Sequence, residues 1–192
     1  MDTSLDRRRF HRLSIGAVGA SLGAALPAFA QVPGGRPLVL GMTLEPPGLD
    51  PTAGAAAAIG EIVLYNVLEP LTKVAEDGSA KPLLALRWSA SADQKTWTFT
   101  LRPGVRFHNG APFDATAVKF SFERAGAPNS LNKDRRVFEN IAAIATPDPL
   151  TAVLTLRHPE PDLPALLAQA TAVIVEPGSA AGNAQNPVGT GP

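Results

Sequence analysis

Apolar and polar positions alternate most clearly over residues 96–101. Trp97, Phe99 and Leu101 interleave with Thr96, Thr98 and Thr100, the period of two expected of a strand buried on one face. Pro103-Gly104 and Asn109-Gly110 then interrupt the pattern with turn chemistry, because Gly takes a positive φ without steric cost. From Asp114 the apolar positions return at helical spacing, with Val118, Phe122 and Ala125 on one face. A helix capped by the Asp114 carboxylate and running to about Arg124 is predicted.

Residues 38–42 form a short continuous apolar run, consistent with a fully buried strand. Pro46, Pro47 and Pro51 make residues 45–51 an irregular loop, since each removes a backbone donor and fixes φ. Small residues at 53–58 lead into a predicted helix over 59–68, with Ile59, Ile62, Val63 and Val67 as its core stripe. Residues 71–74 read as a strand with Asp77-Gly78 as a hairpin turn. Residues 86–89 and 96–102 continue an antiparallel set around Asp93 and Gln94. Residues 127–136 are polar and predicted as a surface loop. A hairpin is expected from 141–145 and 151–156 around Pro147-Asp148-Pro149. Asp162 starts a helix with Leu163, Leu166, Leu167 and Ala170 on one face, 172–175 form a last strand, and 187–192 form a turn. The order is that of a mixed α/β fold.

The N-terminus carries a different signal. Arg7-Arg8-Arg9-Phe10-His11-Arg12 precedes an apolar run from Leu13 to Leu26 and resembles a twin-arginine export motif, with His11 in place of the usual leucine. That run spans only about 21 Å as a helix, against a bilayer core of roughly 30 Å. Pro27-Ala28-Phe29-Ala30 supplies an A-x-A cleavage site, so residues 1–30 are expected to be a signal peptide cleaved near Ala30, giving a periplasmic protein with no stable membrane insertion. The alternative is a short buried N-terminal helix.

Composition narrows the function classes. The 192 residues are 45% hydrophobic and 18% charged, which is globular rather than disordered. Formal net charge is zero, giving no electrostatic case for nucleic acid. The 19 prolines and 17 glycines imply many turns. Cysteine is absent, which excludes disulfides, thiol nucleophiles and thiolate metal sites.

Candidate chemistry is sparse. His108 and His158 each lack a second His or a carboxylate at ligand spacing, so both read as solvated loop residues. Gly189-Thr190-Gly191 lacks the Gly-Lys-Ser/Thr ending of a phosphate loop. Arg135-Arg136 reads as a solvated pair, with the alternative that Arg135 pairs with a ligand carboxylate through its planar fork. Trp88 and Trp97 fit the core better than stacking platforms. Neither a Gly-x-Ser-x-Gly elbow nor an HExxH motif occurs, so catalysis is not expected and an exported hydrolase is the weaker alternative. A structural or adaptor domain is a third reading.

Five landmarks occur in a telling order: Leu49-Asp50-Pro51; the run from Tyr65 to Leu71; Asp77-Gly78 followed by Pro82-Leu83-Leu84-Ala85; the block over residues 95–124; and the closing turn of 187–192. Together they resemble the extracytoplasmic solute-binding proteins that serve peptide and nickel ABC transporters. Departures are Leu84-Ala85-Leu86-Arg87-Trp88, where the family has an acidic residue after the alanine, and Asp114-Ala115-Thr116-Ala117 in place of its usual cap. The resemblance implies a lobe I fragment with the second lobe missing. Residues 31–71 would be the first segment of lobe I, 72–186 its inserted subdomain, and 187–192 a truncated return. A naturally short relative is the alternative to truncation.

The resemblance also implies a monomer without cofactor that captures short peptides, a nickel chelate or a glutathione-like compound for a permease and ATPase complex. It makes the loop at Glu45 and Pro46 and the small residues Ala55, Ala56, Ala57 and Ala58 one wall of a ligand cleft. Exposed backbone there would bind extended peptides without reading their sequence. The alternative is a helix entry packed only for structure.

Overall fold

Four strands gather the alternating pattern into one antiparallel sheet. The computed structural model describes residues 41–192. In chain order its elements are α1 (Ala57–Val63), β1 (Thr72–Val74), β2 (Ala80–Pro82), β3 (Ala85–Ala90), β4 (Thr96–Leu101), α2 (Ala115–Gly126), α3 (Arg135–Glu139), β5 (Ile141–Asp148), β6 (Thr151–Leu156) and α4 (Leu163–Leu166). The large sheet has the order β3-β4-β6-β5, and β1 pairs with β2 in a separate hairpin.

The period of two holds in β4 and β6. Trp97, Phe99, Leu101, Ala152, Leu154 and Leu156 are buried, while the threonines of β4 stay half-buried. The register sets Trp97 opposite Leu154 and Phe99 opposite Ala152. Helix α2 covers this face with Val118, Phe122 and Ala125. Its start follows the predicted cap: Asp114 Oδ1 accepts from the N–H groups of Thr116 at 2.8 Å and Ala117 at 3.2 Å. Each large apolar side chain buried here contributes about 1.5–3 kcal/mol. Trp97 lies in this core and Trp88 packs against it, with both rings beside Phe99.

A second, smaller cluster joins Ile59, Val63 and Leu68 to Val173, with Leu49, Ile62, Leu64 and Val67 packed around it. Here the predicted helix over 59–68 proves shorter. α1 ends at Val63 because Tyr65 turns the chain with φ +64°. The N–H groups of Val67 and Leu68 both fold back to the Val63 carbonyl, satisfying the helix end as a left-handed cap does.

Other boundaries also move. Of the expected strand at 38–42, only Gly41 and Met42 lie among the described residues, and both are exposed and irregular. Strand β5 runs on to Asp148, so the hairpin turns at Pro149 and Leu150 rather than around Pro147-Asp148-Pro149. The helix at Asp162 stops after one turn, and a 3-10 turn follows at Ala170–Ala172. Residues 173–175 are buried and extended but form no ladder. The Ile174 N–H goes to the Glu69 carbonyl, and that of Val175 goes to the Ser121 hydroxyl.

The stretch 127–136 is fastened down rather than loose. Asn132 is buried and donates to the Thr171 carbonyl at 2.8 Å. Asp134 accepts from the Thr171 hydroxyl at 2.7 Å. Gly126 lets α3 approach, since a Cβ there would lie 3.1 Å from the Phe138 backbone. The signal-peptide expectation for residues 1–30 lies outside the described residues.

Candidate functional site

The loop that enters α1 is shaped by one carboxylate. Asp50 is buried, and its Oδ1 accepts from the Thr52 N–H at 2.9 Å and the Thr52 hydroxyl at 2.6 Å. Its Oδ2 lies 2.8 Å from an Arg124 guanidinium nitrogen, and the same guanidinium bonds the Thr52 hydroxyl. Two opposite charges with every nearby donor engaged are tolerated at this depth. The loop is therefore locked to the end of α2.

Beyond it the small residues open a hollow of about 160 Å³. Pro51, Gly54, Ala56, Ala57 and Gly60 form one side, and Ala170 and Thr171 form the other. Glu61 and Lys133 stand at the rim with opposite charges. Gly60 is needed for the approach, because a Cβ there would come within 3.1 Å of the Ala170 Cβ. A Cβ on Gly54 would meet the movable end of the Ile59 side chain, with Cδ1 at 2.6 Å. Three larger depressions, of about 440, 470 and 550 Å³, lie along β5, α3, Arg157 and the stretch 130–137, and Lys133 lines the second of them as well. They are open, and Arg157 already donates to the Glu139 carbonyl at 3.1 Å.

The hollow brings together two of the predicted wall residues, Ala56 and Ala57. Ala55 is exposed beside them, and Ala58 is buried at 2% exposure as part of the core. Glu45 is exposed and Pro46 half-buried, and neither lines the hollow. Arg135 is engaged elsewhere: it donates to the Pro128 carbonyl at 2.8 Å and pairs with Glu139 at 2.9 Å. Gly60 and Glu61 could have been reached from the sequence by continuing α1 one turn. Lys133, Ala170 and Thr171 carry no local signal, because only tertiary folding brings them to α1.

His108 is exposed in its turn, as expected for a loop residue, and its ring also bonds the closing turn. Its Nε2 lies 2.9 Å from the Gly191 carbonyl, and its Nδ1 accepts from the Gly189 N–H at 3.3 Å. His158 is exposed, as expected for a loop residue. Among the described residues no group of three or more His, Asp or Glu is placed to hold a metal ion. No described helix is long and apolar enough to cross a membrane. Burial raises the Tyr65 hydroxyl above its ordinary pKa, in line with a residue packed for structure.

The profile of the bacterial extracellular solute-binding proteins, family 5 Middle, matches residues 79–192. The glutathione-binding protein GsiB of Salmonella paratyphi A is 33% identical over 177 residues, covering 90% of this chain and 34% of the relative. The binding protein AgaA of A. tumefaciens R10, solved with agropinic acid, superposes with TM-score 0.69 at 35% identity, over 77% of this chain and 30% of that one. NikZ of Campylobacter jejuni, solved with Ni(L-His), superposes with TM-score 0.66 at 29% identity, over 78% and 30%. The chain thus spans about a third of the length of the curated relatives it matches.

Proposed function

Because the chain belongs to the bacterial extracellular solute-binding proteins of family 5, we propose that it supplies one wall of a solute-capturing cleft serving an ABC importer. The observation that carries this reading is the hollow at the start of α1, where the small-residue segment, Thr171 and two unlike charges converge. Capture works by closure: the solute stabilises the closed state through its greater affinity for it.

The solute class is short peptides, with glutathione-like compounds and nickel chelates next. The ligands of the relatives support that range, since glutathione, agropinic acid and Ni(L-His) are all small and rich in polar groups. On this reading residues 31–71 and 187–192 belong to the cleft-forming lobe and 72–186 to a subdomain inserted in it. Export by the twin-arginine-type leader places the protein in the periplasm. Its partners are a permease and an ATPase.

A chimera tests this. Residues 31–192 replace the matching third of the GsiB relative, and calorimetry measures binding of dipeptides, glutathione and nickel–histidine. The reading predicts micromolar binding of at least one of them. A folded chimera that binds none would reject it.

A further inference from the structure

Asn109 and Gly110 shape a hairpin tip, and neither lines the hollow. The pair carries a chemistry of its own. In an Asn-Gly sequence no side chain shields the glycine nitrogen, which can attack the asparagine side-chain carbonyl carbon. Both residues are exposed here, and beyond its chain neighbours no atom lies within 4 Å of where a Gly110 Cβ would stand. The folded tip nevertheless ties up both reacting groups. The Gly110 N–H donates to the Phe107 carbonyl at 2.8 Å, and Asn109 Oδ1 accepts from the Ala111 N–H at 3.1 Å. Residues 187–192 hold the tip closed. The His108 N–H donates to the Gly189 carbonyl at 2.9 Å, and the His108 ring bonds both Gly189 and Gly191.

We propose that Asn109 is a spontaneous deamidation site gated by the docking of residues 187–192 on the hairpin tip. Docking holds the Gly110 N–H on the Phe107 carbonyl, and undocking frees that nitrogen to react. The Gly110 nitrogen then bonds Asn109 Cγ, the Cγ–Nδ2 bond breaks, and the N–H proton leaves with Nδ2 as ammonia. Water opens the resulting cyclic imide at either carbonyl, leaving aspartate or isoaspartate at this position. Both products oppose redocking. Isoaspartate puts an extra carbon in the main chain between His108 and Gly110, which breaks the register of the tip. Either product brings a new carboxylate toward Glu176, whose charged form is favoured chiefly by the Gly178 N–H, with smaller help from Ser179 and the Asn109 side chain. Like charges there repel where a hydrogen bond stood. The reaction therefore runs one way and turns a transient opening into a lasting one.

The test follows the whole chain during incubation at mildly alkaline pH, with mass spectrometry of the peptide that carries Asn109. Native chain should deamidate there at least about tenfold more slowly than chain held in denaturant. His108→Ala removes the two ring bonds and should raise the native rate about five- to thirtyfold. Thr190→Val is the second arm: it removes the hydroxyl bond to Glu69 at 2.7 Å and leaves the Asn109 hairpin untouched. It should raise the rate about fivefold, with circular dichroism checking that each variant is folded. Equal rates in native and denatured chain would overturn the proposal. So would a wild-type rate in either folded variant, since docking would then not control the Gly110 nitrogen.

Discussion

His108 and Gly191 are joined across 83 positions of sequence, with the imidazole Nε2 2.9 Å from the Gly191 carbonyl. Because Nδ1 accepts from the Gly189 N–H, the ring hydrogen is assigned to Nε2, which donates. The turn is held from the other side as well: the Gly191 N–H goes to the Val67 carbonyl at 3.1 Å, and the Thr190 hydroxyl donates to Glu69 at 2.7 Å. Replacing His108 with Ala removes two of these bonds and should cost about 1–2 kcal/mol. Denaturant unfolding measures the loss, and hydrogen exchange should show the Gly189 amide opening first.

Gly189 itself admits no side chain. A Cβ there would lie 1.8 Å from the Val67 carbonyl oxygen and 2.9 Å from Leu68 Cδ2. Gly189→Ala should destabilise by more than about 2 kcal/mol, because the obstacle is backbone and cannot rotate away. A thermal midpoint equal to wild type would show that the turn does not dock as described.

The Asp50–Arg124 pair gives a second stability test. Arg124→Met strands a carboxylate that is 4% exposed and should cost about 2–3 kcal/mol, discounted because the arginine is partly solvated. The double variant Asp50→Asn with Arg124→Met should recover part of that loss. Additive losses would mean that the two side chains do not act on each other.

Acid should weaken the fold through three turn carboxylates. The Ser79 hydroxyl and N–H hold Asp77 below the usual carboxylate range. The Ser91 hydroxyl and the Lys95 N–H do the same for Asp93. The Gly178 N–H lowers Glu176. Depressed folded values mean that their stabilisation is complete above the ordinary range and lost as pH falls through the folded values. A thermal-midpoint series should therefore drop less steeply below that range for Asp77→Asn, Asp93→Asn and Glu176→Gln combined than for wild type.

Where the chain alternates or caps itself, local pattern specifies local structure. The threonine and aromatic alternation of β4, the Asp114 cap and the Asp77-Gly78 hairpin depend on neighbours within a few residues, and all three form as expected. The end of α1 is not legible in the sequence because its apolar stripe continues through Val67, while a single left-handed residue, Tyr65, redirects the chain. The 172–175 segment looked like a strand because it is apolar. Its backbone groups instead go to Glu69 and Ser121, which no local pattern reveals. The same holds for the site: Ala56 and Ala57 were visible as a small-residue run, but Lys133 and Thr171 reach the hollow only through the Asn132 network. The recognisable motifs mostly turn out to be joints, with Asp50 bound to Arg124 and His108 to the closing turn.

Filling the hollow tests the account most directly. Ala57 is exposed at its edge, so Ala57→Trp in the chimera should leave the thermal midpoint nearly unchanged while occupying the space. The account predicts that solute binding measured by calorimetry falls at least about tenfold, or about 1.4 kcal/mol. Unchanged affinity in a folded Ala57→Trp chimera would contradict the claim that this hollow is the wall that holds the solute.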